Sequence, residues 1–333
     1  MTQAQITQLL CWYEANKRDL PWRNTCDPYH IWVSEIMLQQ TRVQAVKGYY
    51  TRFLTALPDI NSLATVDDET LLKLWEGLGY YSRARNLKRA AQIIMSEHGG
   101  KLPNTPEQLI KLPGIGLYTA GAIASQAFGM PVPAVDGNVL RVLARLWADY
   151  SDIALEQTKK SFAAQLLRVI PQDKAGAFNQ ALMELGACVC LPNGAPLCAS
   201  CPWQDDCSAR AQHIIAELPV KSAKKPRKIE HRQLLILRFE DKLALRKRPL
   251  KGLLAGLWEL PEAFDIPPEL VLHQEDADAA RHIFTHIEWH MTAQKLTLRE
   301  EIAMEGFVWV TQEELAQSYA LPSAFAGFRD IMF

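Results

Sequence analysis

Apolar residues recur at helical spacing through the first two thirds of the chain. The segments SEIMLQQTRVQAVKGYYTRFL (34–54), SRARNLKRAAQIIMSEHGG (82–100) and FAAQLLRVI (162–170) place them three and four residues apart, which predicts helices. Gly99 and Gly100 supply a stop after the second of these. Thr105-Pro106-Glu107-Gln108 reads as a helix start, with Thr at N-cap, Pro at N1 and Gln at N3. Leu112 to Val135 carries no charge and is long enough to suggest a membrane span. Pro113, Gly114, Gly116, Gly121, Gly129, Pro131 and Pro133 interrupt it, so a buried helix with flanking turns is the better reading.

The texture changes at residues 217–231. Lys221, Lys224, Lys225, Arg227, Lys228 and, at the edge, Arg232 stand against Glu217 and Glu230, with two prolines and no apolar periodicity. This predicts a linker, either a solvated tether or one that also lies on phosphates. Beyond it RQLLILRFEDKLALRKR predicts two strands around Glu240-Asp241. WHMTAQKLTLRE and GFVWVT predict further strands, with helices near 312–318 and 323–331, so the tail reads as a small α+β domain. No internal repeat or low-complexity tract is visible.

At 333 residues the chain is too long for one core and suits two domains. With 48% hydrophobic and 22% charged residues it is neither disordered nor collagen-like. The formal charge is −1, so any nucleic-acid signal must be local. The N-terminus lacks a basic region followed by an apolar one, which predicts a cytoplasmic protein without membrane attachment.

Of seven cysteines, five fall between 188 and 207. A clustered odd number argues against a disulfide framework. Cys190, Cys198, Cys201 and Cys207 have one tight pair and two wide gaps. Zinc usually takes two tight pairs, so this spacing favours an iron–sulfur cluster, with zinc and unliganded thiols as the alternatives. Cys188 reads as a small core residue; Cys11 and Cys26 are isolated.

Three further constellations carry chemistry. Leu112-Pro113-Gly114-Ile115-Gly116 between helices is a hairpin whose following N–H groups suit a phosphate, or a plain helical turn. Val135-Asp136-Gly137-Asn138 taken alone is often just a helix N-cap. Glu35 between apolar neighbours, before Gln39-Gln40-Thr41, reads alone as a first-turn carboxylate favoured by the helix dipole.

Together these features resemble the endonuclease III superfamily of helix-hairpin-helix DNA glycosylases. Glu35 within SEIMLQQT, GLGYYSRARNL at 77–87, Tyr118 in the hairpin and Asp136-Gly137-Asn138 are similar to its MutY branch, the adenine glycosylases. The resemblance is dense over residues 8–210 and weaker beyond. It implies an all-α helix-hairpin-helix core (1–216, with a six-helix barrel at about 26–130 and a cluster part of 1–25 plus 131–216). The linker and a MutT-like, nudix-fold α+β domain at 232–333 would follow.

The resemblance also implies site residues. Glu35 would be the general acid that protonates adenine N7, and Asp136 would stay ionised and stabilise the cationic sugar. Tyr118 and Asn138 would position Asp136 and the substrate, while Arg18, Trp22, Arg23 and Gln180 would line the adenine pocket. Gln39, Gln40, Thr41 and Tyr80 would surround the vacated space and the opposing 8-oxoguanine. Gly114 and Gly116 would hold a phosphate, and Phe284-Thr285-His286 would read the damaged base. Cys190, Cys198, Cys201 and Cys207 would hold a [4Fe-4S] cluster of structural role. The implied partner is duplex DNA with A opposite 8-oxoguanine or G, bound by a monomer, cytoplasmic and nucleoid-associated when on DNA.

The sequence departs from the family pattern in places. Seven residues, not six, separate the first two cysteines, and the cluster loops lack Lys and Arg. Thr285 replaces the usual Ser, and Leu140 stands where some members have Lys. The stretch between Pro261 and Ile283 is short. GLLAGLWELPE (252–262) is retained without the metal-binding carboxylates of nucleotide hydrolases, so pyrophosphatase activity is not expected. Tyr118 stands where lyase members carry a Schiff-base Lys, which disfavours a bifunctional glycosylase/lyase. A non-catalytic lesion-binding protein is disfavoured by the presence of both carboxylates.

Overall fold

The computed structural model describes residues 1–223 and 226–333; Lys224 and Lys225 of the basic stretch lie outside the described residues. In chain order the helices are α1 (Gln3–Asn16), α2 (Pro28–Leu38), α3 (Val43–Ala56), α4 (Ile60–Thr65), α5 (Asp68–Leu74), α6 (Ser82–Glu97) and α7 (Pro106–Leu109). They continue as α8 (Leu117–Phe128), α9 (Gly137–Trp147), α10 (Glu156–Leu167), α11 (Ala175–Cys188) and α12 (Ser208–Ala211). Strands β1 (Lys228–Phe239), β2 (Lys242–Lys247), β3 (Trp258–Glu259), β4 (Val271–Ile283), β5 (Ile287–Leu298) and β6 (Phe307–Thr311) follow, then α13 (Gln312–Gln317). Two compact units result: Met1–Thr65 with Asn86–Ala223, and Val66–Arg85 with the C-terminal part of the chain to Phe333.

In the first unit α2 starts on Asp27, whose side chain accepts from the Tyr29 and His30 N–H groups, with Pro28 at N1. Every residue from Ile31 to Met37 is buried, so α2 is packed on all sides, chiefly by α3 and α8. The segment 34–54, whose spacing predicts helix, is divided between α2 and α3. The chain breaks at residues 39–42, with Gln40 at φ +58°, before α3 resumes. There Gln39 Nε2 donates to Thr119 Oγ1 at 3.2 Å. The start at Thr105 is also weaker than expected: its side chain caps nothing, and α7 is a single turn. The uncharged stretch does hold a buried helix, α8, with Thr119–Ser125 inside.

Helices α1, α9, α10 and α11 share a core that includes Leu9, Tyr13, Leu143, Phe162, Phe178 and Leu182. Each such large side chain contributes roughly 1.5–3 kcal/mol on burial. Trp203, next to the cysteine loop, joins this core and donates its indole N–H to Gln5 O at 2.8 Å. Among the described residues no helix is long and apolar enough to cross a membrane.

In the second unit the sheet order is β3-β2-β1-β5-β4, with β6 also on β2. β1 and β5 run parallel, pairing Leu234 with Ala293 and Leu237 with Leu296, and β4 is antiparallel to β5. The run Leu234–Leu237 is continuously apolar because both faces of β1 are covered. Leu234 and Ile236 meet Trp289, Phe325 and Phe328, whereas Leu235 and Leu237 lie under Phe264, Ile266, Phe307 and Trp309. The long strand β4 was not foreseen: VLHQEDADAARHI is largely exposed and has no alternation for a pattern reader to find. β1 begins at Lys228, inside the stretch read as linker, and residues 323–331 form a 3-10 helix.

Candidate functional site

A groove of about 1490 Å³ in the first unit gathers Arg18, Trp22, Arg23, Glu35, Gln39, Gln40, Thr41, Gly116, Tyr118, Asp136, Asn138 and Gln180 on its walls. Glu35 sits near the C-terminal end of α2, not in its first turn as the isolated reading had it. Its carboxyl accepts from Tyr118 OH at 2.7 Å and from Gln126 Nε2 at 3.1 Å. Burial pushes its pKa up, and those two hydrogen bonds oppose the rise without cancelling it. Tyr118 therefore bonds Glu35 rather than Asp136. It stands in the first turn of α8, and α8 packs against α2.

Asp136 is the N-cap of α9, so the bland reading and the functional one coincide. Its carboxylate accepts from Val139 N–H at 2.8 Å and from Asn138 Nδ2 at 2.7 Å. Burial raises its pKa too, and the N–H donors at the helix start, Asn138 and the Arg141 charge oppose the rise without cancelling it. Asn138 is held in turn by Arg141, whose guanidinium donates to Asn138 Oδ1 (2.9 Å), Gly186 O (2.7 Å) and Cys190 O (2.8 Å). Gly186 on α11 makes this possible: a Cβ there would stand 2.6 Å from Asn138 Cβ.

The other end of the groove is built on Glu184, fully buried on α11. Arg18 chelates it through Nε (2.8 Å) and NH2 (2.6 Å), and Arg23 through NH1 (3.1 Å) and NH2 (2.7 Å). Burial alone would raise this carboxyl; the two guanidinium groups instead hold it down at about 2. Gln180 accepts from Tyr13 OH and donates to Gln126 Oε1 at 2.8 Å, which links it to Glu35. Trp22 packs edge-on against Tyr50, 5.4 Å between rings.

Glu184, Gln126 and Arg141 were missed by the sequence reading. Each is a polar residue inside an apolar helical run, the one signal that could have exposed them.

The hairpin before α8 turns at Gly114, whose φ of +80° suits glycine. Gly116 is the N-cap of α8 and has no side chain to occupy the first-turn N–H groups.

Cys190, Cys198, Cys201 and Cys207 line one small apolar cavity with Val142, Leu146, Val189 and Trp203. Burial pushes the Cys201 thiol up to about 12 and raises Cys207; a bound cation would favour their thiolates. Arg145 NH1 approaches Cys190 Sγ at 3.4 Å. Four sulfurs around one apolar cavity are a fitting donor set for an iron–sulfur cluster. Among the described residues no three donor side chains are gathered tightly as for one metal ion. Cys188 packs against the helical core, as expected.

In the second unit Phe284-Thr285-His286 is the tip joining β4 to β5. Phe284 turns inward, 4.9 Å from the Trp289 ring, while Thr285 and His286 are exposed. Tyr80 belongs to this same unit, and its hydroxyl lies 3.0 Å from Thr285 Oγ1.

Residues 33–172 match the HhH-GPD superfamily of base excision DNA repair proteins, and residues 232–329 match the NUDIX domain. A solved thermostable thymine-DNA glycosylase superposes with a TM-score of 0.58 at 30% identity, covering 62% of this chain and 95% of that one. An endonuclease III trapped on DNA shares the fold, with a TM-score of 0.55 at 23% identity over 64% of this chain and 100% of the other. The adenine DNA glycosylase of Mus musculus is 35% identical over 97% of this chain and 78% of its own length. On the strength of that match across both units, the chain belongs to the adenine DNA glycosylase family.

Proposed function

We propose that the protein is a monofunctional glycosylase of base excision repair, hydrolysing the N-glycosidic bond of adenine mispaired with 8-oxoguanine or G in duplex DNA. The observation that carries the reading is the pair Glu35 and Asp136 in one groove, Glu35 bonded by Tyr118 and Gln126 and Asp136 by Asn138 and the α9 N–H of Val139. The adenine leaves the stack and enters the groove. Glu35 gives its proton to adenine N7, so the base departs neutral. Asp136, steadied by Asn138 and the α9 N–H groups, stabilises the oxocarbenium-like sugar until water adds. Tyr118 offers no amine for a Schiff base, so the strand stays intact. Arg18, Trp22, Arg23 and Gln180 hold the base, and the N–H groups after Gly114 and Gly116 take a phosphate.

In the first unit Gln39, Gln40 and Thr41 would meet the vacated stack; in the second, Tyr80, Phe284, Thr285 and His286 would meet the opposing 8-oxoguanine. The four cysteines would hold a [4Fe-4S] cluster that pins the 190–207 loop.

Single-turnover release from A·8-oxoG and A·G duplexes tests the proposal, with a thymine-glycol duplex and Glu35→Gln beside them. Adenine release with cleavage only after alkali supports it. Cleavage at thymine glycol without alkali points to the lyase, and tight binding without release to a lesion sensor.

A further inference from the structure

Residues 66–85 lie between helices of the first unit in sequence, yet they are compact with the C-terminal unit. Two buried-edge charges account for this. Lys73 Nζ, on the last turn of α5, donates to Leu315 O at 2.8 Å, Tyr319 O at 3.1 Å and Glu76 Oε2 at 2.6 Å. Glu76 Oε1 accepts from Leu321 N–H at 3.1 Å and pairs with Arg329 at 3.6 Å. The side chains are only 18% and 19% exposed, so both charges are spent on the 315–329 segment and on each other. Lys247 with Glu69 (2.6 Å) and the Arg85 guanidinium on Ala255 O add further ties.

The segment's tip is as firmly built. Tyr80 holds φ +48°, an uncommon conformation for an aromatic residue. Trp75 Nε1 donates to Gly79 O at 3.1 Å, and Arg83 NH2 donates to both Leu78 O and Gly79 O at 3.1 Å. The Arg83 guanidinium lies 5.5 Å from the Tyr80 ring and 5.4 Å from Trp75. From this base the Tyr80 hydroxyl reaches Thr285.

We infer that residues 66–85 are a strap of the C-terminal unit, and that Lys73 and Glu76 are positioning residues that keep Tyr80 on Thr285 and so tune discrimination between 8-oxoguanine and guanine. The inference rests on the reading of Tyr80 and Thr285 as contacts of the opposing base. Lys73 itself reaches no nucleic acid, because its three donors are already engaged.

The test uses the full chain with its cluster and compares wild type, Lys73→Met and Lys73→Arg. One readout is hydrogen exchange of the 66–85 amides; the other is the ratio of single-turnover rates on A·8-oxoG and A·G. In Lys73→Met the strap should exchange at least about tenfold faster while α2 and α9 do not change. The rate ratio should fall about fivefold to tenfold, the effect of one misplaced hydrogen bond, with the A·G rate within about twofold of wild type. Lys73→Arg, which keeps charged donors, should recover most of the ratio. Unchanged exchange in Lys73→Met overturns the strap. Faster exchange with an unchanged ratio overturns the positioning role. A wild type that handles both duplexes equally removes the 8-oxoguanine reading, and the exchange data still decide whether the strap is held.

Discussion

Glu35 and Glu184 line the same groove and are both buried, yet their acidities diverge. Glu35 is hydrogen-bonded by a phenol and an amide, which are neutral, and burial outweighs them and the Arg23 charge, so its pKa rises. Glu184 is met by two guanidinium groups in chelating geometry, so the anion wins. Burial therefore sets the direction of these carboxyls' pKa unless a guanidinium bonds the carboxylate directly; Asp136, raised although the Arg141 charge acts on it, follows Glu35. The same solution recurs in the second unit. There Glu259, fully buried, is held below the usual carboxylate range because Arg232, Arg246 and Arg248 outweigh its burial.

The sharpest way to break the contrast is to remove the proton from the Glu35 corner. Glu35→Gln should lower base release by about 10³-fold or more, the weight of a general acid in a leaving-group step. Because a buried carboxyl with a raised pKa resists ionisation, the same variant should melt about 2–4 °C above wild type near neutral pH. A variant that keeps its activity would remove Glu35 from the chemistry. In wild type the required form is the acid, so release should decline as pH rises through the raised Glu35 pKa.

The next effect belongs to the Glu184 corner. Its pKa is depressed from 4.5 to about 2, so its stabilisation is present above about 4.5 and is lost as pH falls through about 2. Glu184→Gln leaves two guanidinium groups unanswered and should cost about 2–3 kcal/mol at neutral pH, discounted because Arg18 is 38% exposed. Urea unfolding followed by circular dichroism measures this; a loss below about 0.5 kcal/mol would mean that the arginines are satisfied by water.

Smaller effects sharpen the picture. Gly186→Ala places a methyl against Asn138 and should cut release about tenfold with little change in DNA affinity, since it displaces the residue that steadies Asp136. A wild-type rate would mean that α11 yields. Tyr118→Phe removes a hydrogen bond that favours ionised Glu35. Its rate should fall about threefold to tenfold, and its alkaline limb should move to higher pH. A limb moving the other way would show that Tyr118 stabilises the protonated form.

Much of the architecture was legible in the pattern of residues. The buried helix between Leu112 and Val135, the hairpin turning at Gly114 and the strands about Glu240-Asp241 all follow from local periodicity and turn chemistry. The break at 39–42 was not, because the Gln39 side chain there is taken by Thr119, a partner distant in sequence. Strand β4 was not either, since its ladder comes from β5 and its side chains face solvent. Of the groove, the carboxylates and Tyr118 stood out by type and motif, while Glu184, Gln126 and Arg141 lay hidden among apolar neighbours.

By itself the sequence determined which groups are present: two carboxylates without a lysine, four spaced thiols and a glycine-turned hairpin. Spacing and residue type are local properties, and they survive without any fold. What only the tertiary structure decided are the opposite pKa shifts of Glu35 and Glu184, the partner of Tyr118 and the body to which Tyr80 belongs. Those depend on charges and carbonyls brought from residues more than eighty positions away in the chain, and on the exclusion of water around them.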